Sequence, residues 1–151
     1  MYEDHSPAVW RYVRARVPDP GEAQDVTSEV FARAWRSWDR YDAGRGTVGA
    51  WLMGVAHHAV VDWWRTRRPA VAEPPEIPSE GDGPEEIAVR RDMVRRSLGC
   101  LNEREQDAIA LRFAGGLRAH EVGQVLGMTE GATKMLIHRA IAKLRAVMDE
   151  R

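Results

Sequence analysis

Between residues 69 and 83 the chain reads Pro-Ala-Val-Ala-Glu-Pro-Pro-Glu-Ile-Pro-Ser-Glu-Gly-Asp-Gly, and neither helix nor strand survives such a run. Its four prolines each remove a backbone donor and fix φ, and no apolar period recurs through it. This is the composition of a flexible, acidic, Pro-rich linker. It divides 151 residues into two short segments, 1–68 and 84–151, each of small-domain size. At ~3.3 Å per residue the linker extends about 50 Å. The sequence therefore predicts two lobes held apart on an elongated partner.

Charge says what kind of partner. The chain as a whole carries a net −1, which argues against a protein holding many phosphates on its own. The acid, however, is concentrated in the middle: residues 1–69 carry +1, residues 70–91 carry −4 and residues 92–151 carry +2. Weakly cationic lobes imply modest unaided affinity for nucleic acid, with a larger partner supplying the remainder. With 44% hydrophobic and 30% charged residues the composition is that of a globular protein, and no run approaches the roughly 20 apolar residues that span a bilayer. The opening Met-Tyr-Glu-Asp-His lacks a basic, apolar leader, so a cytoplasmic location without membrane insertion is expected. The lone Cys100 has no intrachain partner and reads as a small buried side chain.

Apolar residues recur throughout at three- and four-residue steps, and no strand-like alternation of useful length is present, so the fold class is all-α. Ser6-Pro7 suits the start of a first helix with Val9, Val13 and Val17 on one stripe. A second, from Glu22 to about Trp38, buries Val26, Val30, Ala34 and Trp35. After the loop Tyr41–Thr47 a third runs from Val48 to Arg67 with Leu52, Val55, Ala56, Ala59, Val60 and Trp63 inward. All six tryptophans lie in this segment, and most are expected in its core. His58 and Asp62 are four apart, but no third ligand lies near, and no metal or cofactor is expected.

Beyond the linker, Pro84 opens a fourth helix with Ile87, Val94, Leu98 and Leu101 on one face. Asn102-Glu-Arg-Glu105 has capping-box spacing and starts a fifth, to which Ile109, Leu111 and Phe113 contribute. A helix-turn-helix follows at about 118–137. Val122, Val125 and Leu126 give a short apolar face, Gly127 ends that helix, and Thr129 caps the next. The last helix keeps Thr133, Ile137, Ala140, Ile141, Leu144, Val147 and Met148 inward and leaves Lys134, His138, Arg139, Lys143 and Arg145 outside. As a bare pattern this is either a DNA-reading module or a helical hairpin that merely packs.

Three stretches carry a resemblance beyond pattern: Ala23-Gln-Asp-Val-Thr-Ser-Glu-Val-Phe-Ala-Arg-Ala-Trp-Arg36, Tyr41-Asp-Ala-Gly-Arg-Gly-Thr-Val-Gly-Ala-Trp-Leu52, and Leu101–Phe113 with the helix-turn-helix. Together they resemble bacterial RNA polymerase sigma factors of the extracytoplasmic-function type over nearly the whole chain. The resemblance implies a non-catalytic initiation subunit with a region 2-like domain at 1–68, a linker at 69–83 and a region 4-like domain at 84–151. It implies binding to core RNA polymerase, at the clamp helices of the largest subunit and at the flap region, with Asp25, Ser28, Glu29 and Arg33 on the clamp-facing helix. It implies recognition and melting of the promoter minus-ten element by Arg45, Gly46, Thr47, Trp51, His58, Arg65, Arg67 and Arg68. It implies minus-thirty-five reading by Arg118, Lys134, Met135, Leu136, His138 and Arg139. An anti-sigma factor is a further candidate partner. Several positions depart from the family pattern: Ser28 replaces a glutamine, His58 an asparagine, Gly54 a basic residue and Arg118 a capping serine. Met135-Leu136 stands where a small polar residue and an arginine are usual. Two other classes compete with this reading. One is a stand-alone helix-turn-helix regulator that binds duplex DNA unaided; the other is a helical protein-interaction adaptor with no DNA role.

Overall fold

The computed structural model describes residues 2–67 and 99–149, and all regular structure among them is helical. The linker, Arg68 and the helix expected from Pro84 lie outside the described residues. Helix α1 spans Tyr2–Arg16, α2 Pro20–Arg36 and α3 Val48–Arg67, with a single 3₁₀ turn at Trp38–Arg40. In the second half α4 spans Glu103–Ile109 and runs into a π-helical turn at Ala110–Ala114; α5 spans Ala119–Leu126 and α6 Glu130–Asp149.

Helix α1 begins at Tyr2, ahead of the predicted Ser6-Pro7 start, and carries Pro7 inside it. Near a helix N-terminus the missing proline N–H forfeits little, and Glu3 and Asp4 in the first turn suit the positive end of the dipole. Asp19 caps α2 by accepting from the Gly21 amide at 2.9 Å, and Pro20 fills the first turn. The first lobe's core is made of small side chains: Val9, Val13 and Val17 of α1, Ala23, Val26, Val30 and Ala34 of α2, and Ala50, Ala56, Ala59 and Val60 of α3. Tyr12, Leu52 and Met53 are the large side chains fully enclosed with them.

This overturns the expectation for the tryptophans, none of which is among the buried residues. Helices meeting through alanine and valine lie too close to admit indoles, which are displaced to the flanks. Trp35, expected inside, is 80% exposed, because the step of about 100° from the buried Ala34 carries it off the core face. Val55 and Trp63 are only partly buried, and Met53 takes the central place the sequence reading omitted.

In the second lobe the predicted capping box is present: Asn102 Oδ1 accepts from the Glu105 amide at 2.8 Å, and Glu105 Oε1 accepts from the Asn102 amide at 3.0 Å. The same carboxylate accepts from Lys143 Nζ at 2.8 Å, tying α4 to α6. In the π turn the Gly115 amide bonds the Ala110 carbonyl at 2.9 Å. The wider turn changes which residues face inward, and Phe113, expected in the core, is 57% exposed. Gly127 adopts the left-handed conformation at φ +69°, and Thr129 Oγ1 accepts from the Ala132 amide at 3.2 Å, as the helix-turn-helix reading requires. Arg118 offers no acceptor at the start of α5, so only the return half of that cap forms, the Arg118 amide donating to Glu121 at 2.9 Å. Met148 is exposed near the end of α6, and Cys100 is exposed rather than buried.

The two lobes are not held apart. Helix α1 packs on the π turn, α3 packs on α5, and one apolar cluster runs from Val9, Val13 and Met53 into Leu111, Leu117 and Val122. Each lobe is too small to hide all its apolar surface, and mutual burial removes it from water. At the seam Arg16 is 8% exposed; its Nη1 donates to Gln106 Oε1 at 2.6 Å and its Nε lies 2.8 Å from Asp107 Oδ1. Arg11 Nε donates to the Ala114 carbonyl at 3.3 Å, and Thr47 Oγ1 to Glu121 Oε2 at 3.4 Å.

Candidate polymerase and nucleic-acid interfaces

Helix α2 presents Asp25, Ser28 and Glu29 to solvent on the side away from its alanine and valine stripe. Arg33, grouped with them by sequence, is instead a staple. Its Nε donates to Glu29 at 3.0 Å and its Nη1 to Asp62 of α3 at 2.9 Å, while Arg36 reaches Glu29 at 3.3 Å. The hydrogen bond from Arg33 is the chief reason the Glu29 carboxyl is held below the usual carboxylate range. The sequence reading left out Trp35 and Arg36, which are exposed beside these residues. A tryptophan that core periodicity cannot place inward was the available signal.

The loop from Tyr41 to Thr47 is built by short-range bonds. Tyr41 Oη donates to the Gly46 carbonyl at 3.0 Å, Asp42 Oδ1 accepts from the Gly44 amide at 2.9 Å, and Thr47 Oγ1 caps α3 by accepting from the Ala50 amide at 3.1 Å. Under it sits an aromatic triad that sequence reasoning missed in part. Trp38, Tyr41 and Trp51 have ring centroids 5.4, 5.8 and 5.6 Å apart, Trp38 stacked on Tyr41 and edge-on to Trp51. Arg45 and Thr47 of the loop and His58 of α3 are exposed above this base. Rigid aromatic faces beside cations are the equipment for holding unstacked bases.

The basic end of α3 behaves differently from expectation. Arg65 is exposed, 3.8 Å from Asp62. Arg67 folds back, pairing with Glu22 and lying 5.3 Å over the Trp63 ring, so it braces α3 against α2.

Loop and α3 form one wall of a cleft of about 430 Å³, lined by Arg45, Thr47, Trp51, Gly54 and His58. The opposite wall belongs to α5 and supplies Glu121, Gln124 and Val125. A neighbouring space of about 400 Å³ brings His5, Arg45, Arg118 and His120 together around Gly116. Behind the cleft, burial pushes the His57 imidazole below its ordinary value, with Asp107 opposing and His58 and Arg16 reinforcing the fall. Tyr12 Oη lies 3.3 Å from His57 Nδ1, and burial raises its pKa far above the usual phenol range.

On α6, Thr133, Ile137 and Ala140 face the core and Lys134, Met135, His138 and Arg139 face solvent. Lys134 pairs with Glu130 at 3.2 Å, one turn back. Leu136, expected on the reading surface, is half-buried and packs on the core cluster, since it adjoins Ile137 on the edge of the inward stripe. Arg118 is exposed at the entrance of α5. No helix among the described residues is long and apolar enough to cross a membrane.

Comparison with known proteins gives this arrangement a family. Residues 1–69 match the sigma-70 region 2 family and residues 97–146 the sigma-70 region 4 family. The ECF RNA polymerase sigma factor BldN of Streptomyces coelicolor is 31% identical over 99% of this chain, which spans 60% of BldN's length. The ECF RNA polymerase sigma factor ShbA of Streptomyces griseus is 35% identical, over 95% of this chain and 83% of its own. Among solved structures, CnrH in complex with the cytosolic domain of CnrY superposes with a TM-score of 0.75 at 27% identity, covering 99% of this chain and 85% of that one. An all-helical chain with a region 2 half, a region 4 half and relatives of this kind along its length belongs to the extracytoplasmic-function (ECF) family of RNA polymerase sigma factors.

Proposed function

We propose that this chain is a promoter-specific initiation subunit that joins core RNA polymerase through α2, melts and holds the minus-ten element with the Tyr41–Thr47 loop and α3, and reads the minus-thirty-five element with α6. The observation that carries the reading is the placement of three residue sets on three surfaces of one family-matched chain. Asp25, Ser28 and Glu29 are exposed on α2; Arg45, Thr47 and His58 surround an aromatic triad; Lys134, Met135, His138 and Arg139 are exposed on the second helix of the helix-turn-helix. Acidic side chains on α2 suit a basic, helical docking site on the polymerase. A base drawn out of the duplex requires stacking and edge contacts, at an unstacking cost of a few kcal/mol.

In the minus-thirty-five half, Met135 offers apolar contact to a thymine methyl group where an arginine would grip guanine, and Arg118 serves a phosphate. Leu136, turned inward, supports the helix instead of reading DNA. The chain does no chemistry of its own and works in the cytoplasm. Its second lobe meets the flap region, and a protein that engages both lobes regulates it as an anti-sigma factor.

Reconstituted transcription tests the reading: core polymerase with this chain initiates on promoters selected from a genomic fragment library, and the paired change Asp25→Arg with Glu29→Arg abolishes polymerase association while the helical fold persists. Polymerase that stays silent across the library sinks the proposal. Full association by the double variant removes α2 from the interface.

A further inference from the structure

Resting on that reading, we propose that the packed arrangement is a self-blocked state: α5 of the second lobe fills the minus-ten cleft, latched there by Arg16 against Gln106 and Asp107. Three observations carry it. The first is occupancy. Glu121, Gln124 and Val125 form one wall of the cleft whose other wall holds Arg45, Thr47 and His58, and Thr47 already donates to Glu121 at 3.4 Å. A carboxylate held 3.4 Å from Thr47 repels the phosphates of an entering strand and takes up a hydrogen-bonding side chain of the loop.

The second is construction. The seam contains an arginine 8% exposed and an aspartate 13% exposed, drawn from opposite lobes and in contact at 2.8 Å. Buried charges are tolerated only when paired, so this contact fixes one register between the lobes and penalises a slipped one. The covalent connection does not enforce that packing, because the Pro-rich stretch reaches about 50 Å when extended. The third is selectivity. Asp25, Ser28 and Glu29 stay exposed in the closed chain, so the polymerase-docking face remains available while the strand-holding face is covered. Docking can therefore precede opening, and promoter-strand binding waits for the enzyme.

The test uses the full chain, with small-angle scattering for its dimensions and fluorescence anisotropy for binding of a short fluorescein-labelled single-stranded DNA of mixed sequence. Arg16→Glu and Asp107→Arg each place like charges across the seam, and the double variant restores an opposite pair. Both single variants should expand and bind the oligonucleotide about ten-fold tighter, the factor expected when the competent form is roughly a tenth of the population. The double variant should return to the compact, weakly binding state. Because the single variants change net charge in opposite directions, a shared gain cannot come from net charge.

Single variants that remain compact, or that expand with unchanged binding, overturn the proposal, as does a double variant that fails to recover. Should a charge reversal not fold, Gln106→Lys, which sets a cation against Arg16, decides: a compact chain with unaltered binding overturns the latch. Failure of the transcription assay alongside variants that open and bind removes the promoter reading and leaves the latch standing.

Discussion

Gly123→Ala is the sharpest probe of the helix-turn-helix geometry, because two known effects of this substitution oppose each other and the structure decides between them. In a helix interior, glycine to alanine is favourable by about 1 kcal/mol. At Gly123, however, a Cβ would stand 2.7 Å from Thr133 Oγ1 and 2.8 Å from the Met128 carbonyl oxygen. The threonine cannot simply turn away, since its hydroxyl donates to the Thr129 carbonyl at 2.7 Å and the residue is fully buried. The Met128 oxygen is backbone, in the turn that sets the angle between α5 and α6. Overpacking of this kind costs about 1–3 kcal/mol. The net expectation is a loss of roughly 1–2 kcal/mol, or a thermal midpoint lower by about 2–8 °C for a chain of this size. Gly54→Ala, within α3 where a Cβ meets nothing within 4 Å, is the matched control and should gain up to about 1 kcal/mol. Thermal and urea unfolding of the two variants beside the parent make the comparison. Equal shifts, or a more stable Gly123→Ala, would refute the claim that α5 and α6 touch at their closest possible approach.

Two further perturbations test the brace between α4 and α6. Asn102→Ala removes the acceptor for the Glu105 amide and should cost about 1 kcal/mol, read as a lower urea midpoint with unchanged slope. The hydrogen bond from Lys143 and that from the Asn102 amide hold the Glu105 carboxyl below its ordinary 4.5, so its contribution is present above that pH and lost as acid protonates the folded state. Lys143→Met should therefore be less stable than the parent at neutral pH, with the two stability curves converging below about pH 4.5. Parallel curves from pH 7 to pH 3 would show that this carboxylate is not held by the lysine.

What the sequence revealed, and what it hid, divides along a physical line. Signals that live within one turn of helix were legible: the Asn102 box, the Gly127 stop and the Thr129 cap depend on neighbours three or four residues away. The bounds of α3 were legible for the same reason, with Thr47 capping its start. Side-chain volume was misleading. Tryptophan is apolar enough to be assigned to a core, but a core built on alanine has no room for it, and only the three-dimensional packing shows this at Trp35. Phe113 was misplaced because a π turn breaks the 3.6-residue period on which the assignment rested. Arg33, Arg67 and Leu136 fit their motifs by position, yet their side chains were already engaged elsewhere: with Asp62, with Glu22 and Trp63, and with the core cluster. The association of the lobes was the least accessible feature, since Arg16 and Asp107 are far apart in the chain and no periodicity links them.

The Arg33 guanidinium is shared between two carboxylates, one on the helix that faces the polymerase and one on the helix that faces DNA. Whatever neutralises Glu29 or draws it toward a docking cation alters the field at Asp62, and with it the setting of the helix bearing His58. Enzyme capture at one surface is thus felt, through a single side chain, at the surface that will grip the opened strand.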